Sequence, residues 1–452
     1  MDTRRIVFER ALTPVGWRDR VAIDIGLDGL ITAVEIKSAA KATVRGLAIP
    51  GIFNLHSHAF QRGIAGLAEH STDANVFWSW RDIMYRFANQ LTPDDVEVVA
   101  AQAFLEMAES GFTGVAEFHY LHHQPDGRPY ANPDELSQRI IAAAEKIGLR
   151  LTLLPVFYAH GGADGRAPDD SQKRFINGID SFTALYQAAS KAVSGSANCR
   201  VGLALHSLRA ATVNEIKTLL HLAQSNPIHI HAAEQTREIE DVKAALGARP
   251  VDILLDEIGL DDRWCLIHCT HMTGAEIRRL AQSRAVVGLC PITEANLGDG
   301  IFEGVTYANE GGRFGIGSDS NIRLSIADEL RTLEYSQRLR DRARNRLAIP
   351  GFGTGRALLD TARRGGAQAG GWAEARLEVG APADIIVLDT THPALLERKD
   401  DDVLNGWVFS ADNAAIADVI VAGQHIVRAG RHRLREKIRA RFAAVMQRLT
   451  AN

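Results

Sequence analysis

The pattern of hydrophobic and polar positions divides the chain into three regions of different texture. Residues 1–48 consist of short alternating segments, two of which flank the turn signal Asp28-Gly29 and predict a β-hairpin. The same alternation returns from about residue 376. We therefore predict a small β-sandwich-like domain formed jointly by 1–48 and 368–430, followed by a C-terminal helix over 431–452.

The middle region, 49–367, alternates strand-like apolar runs with helix-like segments, which is typical of a parallel sheet covered by helices. Thr92-Pro-Asp-Asp provides an N-cap for one helix, whose apolar period stops at Gly111. Asn132-Pro-Asp-Glu predicts another helix start, and that run stops at Gly148. Eight strand–helix units in series predict an α/β fold of the (β/α)8 TIM-like barrel type. The predicted strands are 47–55, 113–118, 151–158, 200–205, 227–230, 264–267, 285–289 and 313–316.

Length, charge and cysteine content narrow the class of protein. The 452 residues exceed what one hydrophobic core supports, in agreement with two units. A formal net charge of −4, without a long block of one sign, argues against a nucleic-acid partner. We find neither a signal-like N-terminus nor an apolar run near the roughly 18 residues that span a membrane, so we expect a cytoplasmic protein. The four cysteines are predicted to be buried free thiols. The expected assembly is a homodimer.

Most histidines of the middle region fall at the C-terminal ends of the predicted strands, where barrel active sites gather. This clustering is the strongest functional signal in the sequence, because a random arrangement would not place them there. The polar residues at the eight strand ends are, in chain order, His56 and His58; Glu117, His119 and Tyr120; His160; His206 and Arg209; His229, His231 and Glu234; His268 and His271; Thr293 and Glu294; and Asp319.

Four of these side chains predict a metal site. Alternate residues of a strand point to opposite faces, so His56 and His58 can reach one ion only where the strand bends at its end. With an imidazole from the fifth strand and a carboxylate from the eighth, they would bind a divalent ion and leave a position for water. Zinc is the expected ion, although iron and manganese also suit nitrogen and oxygen ligands. The predicted ligands are His56, His58, His231 and Asp319.

Two further residues have the chemistry for proton transfer and charge stabilisation. Glu234 lies three positions beyond His231, where the chain has left the strand, and can act as general acid and base. His268 is placed to polarise the attacking water or the tetrahedral intermediate. His229 alternates with His231 and is interpreted as a packed residue, and His271 as a structural one.

The fourth predicted strand, Cys199-Arg-Val-Gly-Leu-Ala-Leu-His-Ser207, contains neither lysine nor glutamate. Binuclear barrel hydrolases commonly bridge two metal ions with a carboxylated lysine or a glutamate on that strand. One metal ion is therefore predicted, and a mononuclear site with a glutamate base suits deamination or deimination.

The motifs His56-x-His58, His231-x-x-Glu234, His268 and Ser318-Asp319 resemble the deaminase branch of the amidohydrolase superfamily. The resemblance runs across nearly the whole chain and is most specific in two stretches, 54–62 and 289–300. It implies the barrel, the four metal ligands, a proton shuttle at Glu234 and a water-orienting role for His268, with Asp319 flanking the attacked carbon. The substrate contacts that it implies are Gln61, Arg81, Tyr120, His206 and Arg209.

The longer stretches imply one activity, the hydrolysis of N-formimino-L-glutamate to N-formyl-L-glutamate and ammonia in histidine degradation. That substrate carries two carboxylates, which bidentate arginine contacts hold efficiently. Arg81, in a tryptophan-rich loop after the first strand, and Arg209, just past the fourth, suit this role. The alternative activity is deamination of a purine, pyrimidine or triazine ring. A non-catalytic scaffold and amide-ring hydrolysis of the dihydroorotase type are weaker alternatives.

Overall fold

The computed structural model describes residues 3–69 and 77–450, which form two β-sheets and the helices around them. The strands before the barrel are β1 (Arg4–Thr13), β2 (Gly16–Ile25), β3 (Ile31–Glu35) and β4 (Val44–Pro50). The barrel strands are β5 (Ile52–Ser57), β6 (Phe112–His119), β7 (Arg150–Phe157), β8 (Cys199–Val201), β9 (Leu203–Leu205), β10 (Ile228–Ala232), β11 (Trp264–His268), β12 (Val286–Leu289) and β13 (Arg313–Ile316). The strands after the barrel are β14 (Ile385–Leu388), β15 (Ile416–Val421), β16 (Gln424–Arg428) and β17 (Arg431–His432).

Helices cover the barrel and continue to the end of the described chain. They are α1 (Phe77–Ala88), α2 (Pro93–Glu109), α3 (Glu135–Ile147), α4 (Ile179–Val193), α5 (Val213–Ala223), α6 (Thr236–Leu246), α7 (Pro250–Ile253), α8 (Gly274–Ser283), α9 (Pro291–Leu297), α10 (Gly304–Asn309), α11 (Ile326–Asp341), α12 (Thr354–Gly370), α13 (Asp401–Ser410) and α14 (Arg435–Thr450). Short 3-10 turns lie at Ala59–Ile64, Asp170–Gln172 and Asn413–Ala415, and a π-helical turn at Leu254–Ile258. Within the described residues, we find no helix with the length and apolar character that crossing a membrane requires.

The sheet formed by β1–β4 and β14–β17, here the terminal sheet, takes strands from both ends of the chain in the order β17-β16-β15-β14-β4-β1-β2-β3. The predicted hairpin is confirmed, because β2 and β3 pair antiparallel with Ile23 opposite Val34. Strand β4 lies between β1 and β14, and its Pro50 is opposite Ile385. A separate cluster of buried apolar side chains, including Phe8, gives this sheet a core of its own.

Strands β5–β13 form the predicted (β/α)8 barrel, which confirms the fold class. Neighbouring strands are parallel and follow chain order, with β8 and β9 together serving as the fourth strand. A parallel bridge between Ser57 and Asp319 brings the first and last strands together. Every residue of β6 and of β7 is buried, as expected for parallel strands that helices cover on the outside.

Two predicted strands are each divided in two at a glycine. The run 47–55, predicted as one strand, spans β4 of the terminal sheet and β5 of the barrel, with Gly51 between them. The Gly51 N–H donates to the Asp384 carbonyl, and an added Cβ would lie 2.6 Å from Thr113, so a side chain does not fit where the sheets meet. The fourth strand is interrupted at Gly202, whose added Cβ would lie 2.7 Å from a side chain of β7.

The predicted helix caps are partly confirmed. Thr92 Oγ1 accepts from the Asp95 N–H at 3.3 Å, and the Asp95 carboxylate accepts from the Thr92 N–H at 2.9 Å, so α2 begins as predicted. Helix α3 ends as predicted, with Gly148 in the left-handed region at φ 86°. Its predicted start at Asn132 was wrong, because the Asn132 carbonyl accepts from the Glu135 N–H in a turn and the helix begins only at Glu135.

Helix α12 covers the seam between β13 and β5. An added Cβ at Gly365 would lie 2.0 Å from a backbone oxygen of β13, and one at Gly366 would lie 2.6 Å from a backbone oxygen of β5. Only glycine permits so close an approach of helix and strands. The helix continues to Gly370, so the predicted domain boundary before residue 368 falls inside it, and the predicted C-terminal helix begins at Arg435, after β17.

Candidate active site

Four buried side chains converge at the C-terminal ends of β5, β10 and β13. They are His56, His58, His231 and Asp319, whose potential ligand atoms all lie within 4.8 Å of one another. His56 Nε2 and His58 Nε2 are 3.3 and 3.2 Å from Asp319 Oδ1. His231 Nε2 is 3.2 Å from His56 Nε2. The structure thus brings together the residues that the sequence predicts as metal ligands, and their ligand role stays a prediction.

Backbone carbonyls fix the direction in which two of these imidazoles face. His58 Nδ1 donates to the Phe118 carbonyl at 2.9 Å, and His231 Nδ1 donates to the His206 carbonyl at 3.0 Å. Each bond leaves Nε2 with a free lone pair aimed at the shared point, which is the arrangement that a metal-binding histidine requires. Three imidazole nitrogens and one carboxylate oxygen form the donor set of a borderline divalent ion, so these residues fit the predicted metal.

The protonation states of this group also suit a cation. Burial lowers the pKa of His56 to about 3, and burial also lowers the pKa values of His58 and His231. Burial alone would raise the pKa of Asp319, but its hydrogen bond to His56 and the neighbouring histidines hold that pKa well below its usual range. Neutral imidazoles and an ionised carboxylate can bind a metal ion without first losing protons.

The main chain holds the ligands of the first and last strands against each other. The N–H groups of Ser318 and Asp319 donate to the His56 carbonyl at 2.9 and 3.0 Å, and the His58 N–H donates to the Asp319 carbonyl at 2.9 Å. Asp319 itself has a left-handed φ of 43°, which turns its carboxylate out of the strand direction. Gly317 precedes this turn, and an added Cβ there would lie 2.8 Å from the His56 Cβ.

Glu234 and His268 lie beside the ligand group, with Glu234 Oε1 3.7 Å from His268 Nε2. Burial raises the pKa of Glu234 to about 7, where a carboxyl group can both accept and release a proton near neutral pH. Burial alone would lower the pKa of His268, but the carboxylates of Glu234, Glu294 and Asp319 raise it well above its usual range. These carboxylates therefore favour the protonated form of the His268 ring, which donates hydrogen bonds.

A single cavity connects the predicted substrate contacts with this chemistry, while His56 lies beneath it and is fully buried. The predicted site residues on its wall are His58, His231, Asp319, Glu234, His268, Gln61, Arg81, Tyr120, His206 and Arg209.

The part of the cavity wall that carries the predicted substrate contacts combines hydrogen-bond donors with positive charge. Gln61 Nε2 donates to the Tyr120 hydroxyl at 2.8 Å, and that hydroxyl donates to Met84 Sδ at 4.0 Å, a weak acceptor that a stronger one can replace. Burial raises the pKa of Tyr120 well above its usual range and keeps the proton in place. The sequence predicts a loop at Arg81, but the structure places this residue on α1. Its guanidinium carbon is 5.5 Å from the centre of the Tyr85 ring.

Three other strand-end histidines have structural partners. His229 Nε2 is 2.8 Å from the Ala369 carbonyl on α12, and His271 Nε2 is 2.7 Å from the Asp299 carbonyl, in agreement with their interpretation from the sequence. His160 pairs with Glu215 at 2.9 Å, away from the cavity wall.

Sequence reasoning missed most of the aromatic and apolar wall. These side chains lie on α1, at the end of α9 and in loops beyond the barrel strands, and in the sequence they are indistinguishable from ordinary core residues. Glu294 was visible at the end of the seventh strand, but its contact with His268 Nδ1 at 3.3 Å depends on the folded barrel. The unpredicted wall residues are Trp80, Met84, Tyr85, Tyr158, Phe175 and Leu297.

Comparison with known proteins places this geometry in a family. The sequence model of the Amidohydrolase family matches residues 47–426. A relative from Pseudomonas aeruginosa, formimidoylglutamate deiminase, is 47% identical over 446 residues, which cover 98% of each chain. This chain belongs to the amidohydrolase family. A further family relative, the 5-methylthioadenosine/S-adenosylhomocysteine deaminase of Natronomonas pharaonis, is 28% identical and covers 94% of this chain and 93% of its own.

Solved structures show the same amidohydrolase architecture. An amidohydrolase from Brucella melitensis superposes with a TM-score of 0.95 at 48% identity, covering 99% of this chain and 100% of that one. An adenosine deaminase from Xanthomonas campestris with bound zinc has a TM-score of 0.82 at 20% identity, covering 99% and 98% of the two chains. The second likeness shows the fold alone.

Proposed function

We propose that this amidohydrolase hydrolyses N-formimino-L-glutamate to N-formyl-L-glutamate and ammonia, as a step of histidine degradation. The observation that carries the proposal is one cavity that connects a group of three histidines and an aspartate to two arginines, Arg81 and Arg209. The substrate has one amidine carbon to be attacked, which matches the histidine–aspartate group, and two carboxylates to be bound, which match the two arginines. The name of the relative at 47% identity supports the same activity.

One divalent metal ion, with zinc as the preferred ion, is assigned to the four converging ligands. When bound, the ion would supply Lewis-acid activation of the attacking water. One ion is proposed because neither β8 nor β9 carries a lysine or glutamate that could bridge a second. The assigned ligands are His56, His58, His231 and Asp319.

Glu234 performs the proton transfers. It takes a proton from the attacking water and later delivers it to the departing nitrogen, since burial raises its pKa to about 7. His268, whose Nε2 lies 3.7 Å from Glu234 Oε1, donates to the oxygen of the attacking water and to the same oxygen in the tetrahedral intermediate. Asp319, held ionised beside His268, orients the attacking water. Because the amidine enters as a cation, the proton from Glu234 converts its nitrogen into an ammonium leaving group. As the C–N bond breaks, Glu234 takes the hydroxyl proton of the intermediate, ammonia leaves and the formyl C=O bond forms.

The two arginines determine the substrate class. Arg81 and Arg209 lie on the same cavity wall and hold the two carboxylates of the substrate. Gln61, Tyr120 and His206 contact the same molecule, and Tyr120 donates its hydroxyl proton because it already accepts from Gln61. A neutral ring would not supply the two carboxylates that this pair of guanidinium groups is proposed to bind.

Location and assembly are proposed with the function. Four buried, free cysteines suit the reducing cytoplasm, which is the proposed location. A homodimer is the proposed assembly.

Ammonia release tests the proposal directly. Metal-loaded protein would be assayed with N-formimino-L-glutamate, N-formimino-L-aspartate and guanine at equal concentrations. We expect rapid release from the glutamate compound, slower or no release from the shorter aspartate compound, and none from guanine. A ring deaminase is the second candidate, because relatives at 28% identity are named 5-methylthioadenosine/S-adenosylhomocysteine deaminases. Release from guanine or 5-methylthioadenosine alone would favour that candidate and contradict the proposal.

A further inference from the structure

Gln172 lies behind the cavity wall and contacts two tyrosines of that wall from outside. It is the last residue of the 3-10 turn Asp170–Gln172 and is only 3% exposed. Tyr85 on α1 and Tyr158 just past β7 line the cavity, whereas Gln172 does not. Any effect of Gln172 on the substrate must therefore act through the two tyrosines.

The orientation of the Gln172 amide is fixed by its loop. The backbone N–H of Asp169 donates to Gln172 Oε1 at 3.0 Å, so the oxygen faces the loop and the nitrogen faces the tyrosines. Gln172 Nε2 donates to the Tyr158 hydroxyl at 2.6 Å and to the Tyr85 hydroxyl at 3.3 Å. Both protons of the amide nitrogen are thus used, and both phenol oxygens act as acceptors.

Each tyrosine hydroxyl still has its own proton to donate. One proton can lie in the hydrogen bond between Tyr85 and Tyr158, so at least one remains for an acceptor elsewhere. Within residues 3–69 and 77–450, neither hydroxyl donates to a carbonyl or carboxylate oxygen. Burial raises the pKa of Tyr158 well above its usual range, so its proton is retained at neutral pH. The remaining proton is available to an acceptor in the cavity that both tyrosines line.

Positive charge lies on the same part of the wall. The Arg81 guanidinium carbon is 5.5 Å from the centre of the Tyr85 ring, and Arg209 lines the same cavity as Tyr158. A hydroxyl donor beside guanidinium groups favours an anionic acceptor, and a carboxylate accepts hydrogen bonds without donating any. A neutral amide would instead bring its own N–H protons toward groups that are already donors.

We propose that Gln172 is a positioning residue that sets Tyr85 and Tyr158 as hydrogen-bond donors to one carboxylate of the substrate. The inference rests on the proposed function. It adds to that function a pair of hydrogen-bond donors that would distinguish a substrate carboxylate from the corresponding amide. The tyrosines can donate to the substrate only if the nitrogen of the Gln172 side chain, and not its oxygen, faces their hydroxyl groups.

The substitution Gln172→Glu tests the proposal. It retains the oxygen that accepts from Asp169 and replaces the donating nitrogen by an accepting oxygen, toward which the tyrosine protons would turn. We expect KM for N-formimino-L-glutamate to rise about 10- to 100-fold, which corresponds to the loss of a hydrogen bond to a charged group, with a much smaller change in kcat. The α-amide and γ-amide of the substrate would be assayed beside it. In one of these two amides, the carboxylate that the tyrosines bind is replaced by an amide group. The KM for that compound should be equal in the wild type and in Gln172→Glu.

Two controls separate this role from a structural one. Gln90→Glu adds the same charge at an exposed position after α1 and should leave KM unchanged. In a Tyr85→Phe, Tyr158→Phe background, Gln172→Glu should have no further effect on KM, because the groups through which it acts are gone. Equal rises in KM with all three substrates, or the full effect of Gln172→Glu in the phenylalanine background, would overturn the proposal.

A binding measurement distinguishes failure of this inference from failure of the proposed function. Glutarate carries both carboxylates without the formimino group, and calorimetry would compare its binding to metal-loaded wild type and Gln172→Glu. Weaker binding by the variant would support the tyrosine pair even if no ammonia were released from N-formimino-L-glutamate. Equal binding would overturn the inference even if that reaction proceeded.

Discussion

His58 and Asp319 are joined through both their side chains and their backbones. His58 Nε2 lies 3.2 Å from Asp319 Oδ1, and the His58 N–H donates to the Asp319 carbonyl at 2.9 Å. These residues follow the first and last barrel strands, whose parallel bridge involves Ser57 and Asp319. The same few atoms therefore bring the barrel ends together and define the candidate metal site.

Replacing Asp319 by asparagine should separate these two roles. Asparagine retains the backbone hydrogen bond and the side-chain size but removes the negative charge that faces three imidazoles. We expect metal affinity to fall by about 100-fold or more, while the metal-free protein still folds and unfolds at a moderately lower temperature, because its histidines no longer stabilise an ionised carboxylate. Elemental analysis after dialysis against a weak chelator measures the first quantity, and calorimetry the second. Asp262→Asn, at an exposed position, is the matched control, and full metal content in Asp319→Asn would contradict the ligand assignment.

Replacing Glu234 by glutamine should strongly lower turnover without releasing the metal. Glutamine has the same shape but cannot take a proton from water, so we expect kcat to fall by about 10²- to 10⁴-fold. The ligand group does not include Glu234, so metal content should equal that of the wild type. Steady-state ammonia release and elemental analysis on the same sample check both statements. Turnover near the wild-type rate would rule out Glu234 as the proton shuttle.

Replacing Arg209 by lysine should raise KM more than it lowers kcat. Lysine keeps the positive charge but cannot form the paired hydrogen bonds that a guanidinium group makes with a carboxylate. We expect KM for N-formimino-L-glutamate to rise about 10- to 100-fold. Arg128→Lys, at an exposed salt bridge with Asp126, provides the control and should leave both constants unchanged. An unaltered KM in Arg209→Lys would show that the carboxylates bind elsewhere.

Replacing Gly317 by alanine should disturb the ligands through the backbone. The new Cβ would lie 2.8 Å from the His56 Cβ and 2.9 Å from its backbone nitrogen and oxygen, so the strand ends must move apart. We expect the free energy of unfolding to fall by about 1–3 kcal/mol, as for overpacked cores, together with weaker metal binding. Denaturant unfolding of the metal-free protein measures the first effect. Gly195→Ala, whose Cβ meets nothing within 4 Å, is the control, and equal stability of the two variants would contradict the argument.

The sequence predicted the barrel and the converging polar residues because both have local signals. Parallel strands covered by helices are continuous apolar runs, and their C-terminal ends share one face of the barrel. His56 and His231 therefore could be placed near each other although strands of different βα units carry them. Their distances, and the carbonyls that orient them, depend on the closed barrel.

Other features could not be predicted because they depend on contacts between distant segments. Gly51 looks like part of one continuous apolar run, and only the meeting of two sheets shows that the strand ends there. The aromatic-rich segment before Arg81 was interpreted as a loop, whereas the structure places Arg81 on α1. Asp169-x-x-Gln172 has the spacing of a capping box, but that motif does not show the tyrosine contacts of Gln172, because Tyr85 and Tyr158 come from two different βα units.

The pairing of β4 with β14 determines when the terminal sheet can form during synthesis of the chain. Pro50 lies opposite Ile385, so the edge of β4 is unpaired until the whole barrel has been translated. At roughly 5–20 residues per second, that interval is on the order of tens of seconds. An unpaired strand edge is a template for association with other chains. Variants that slow barrel closure should therefore lower the yield of soluble protein in cells by more than their loss of stability in the purified state would suggest.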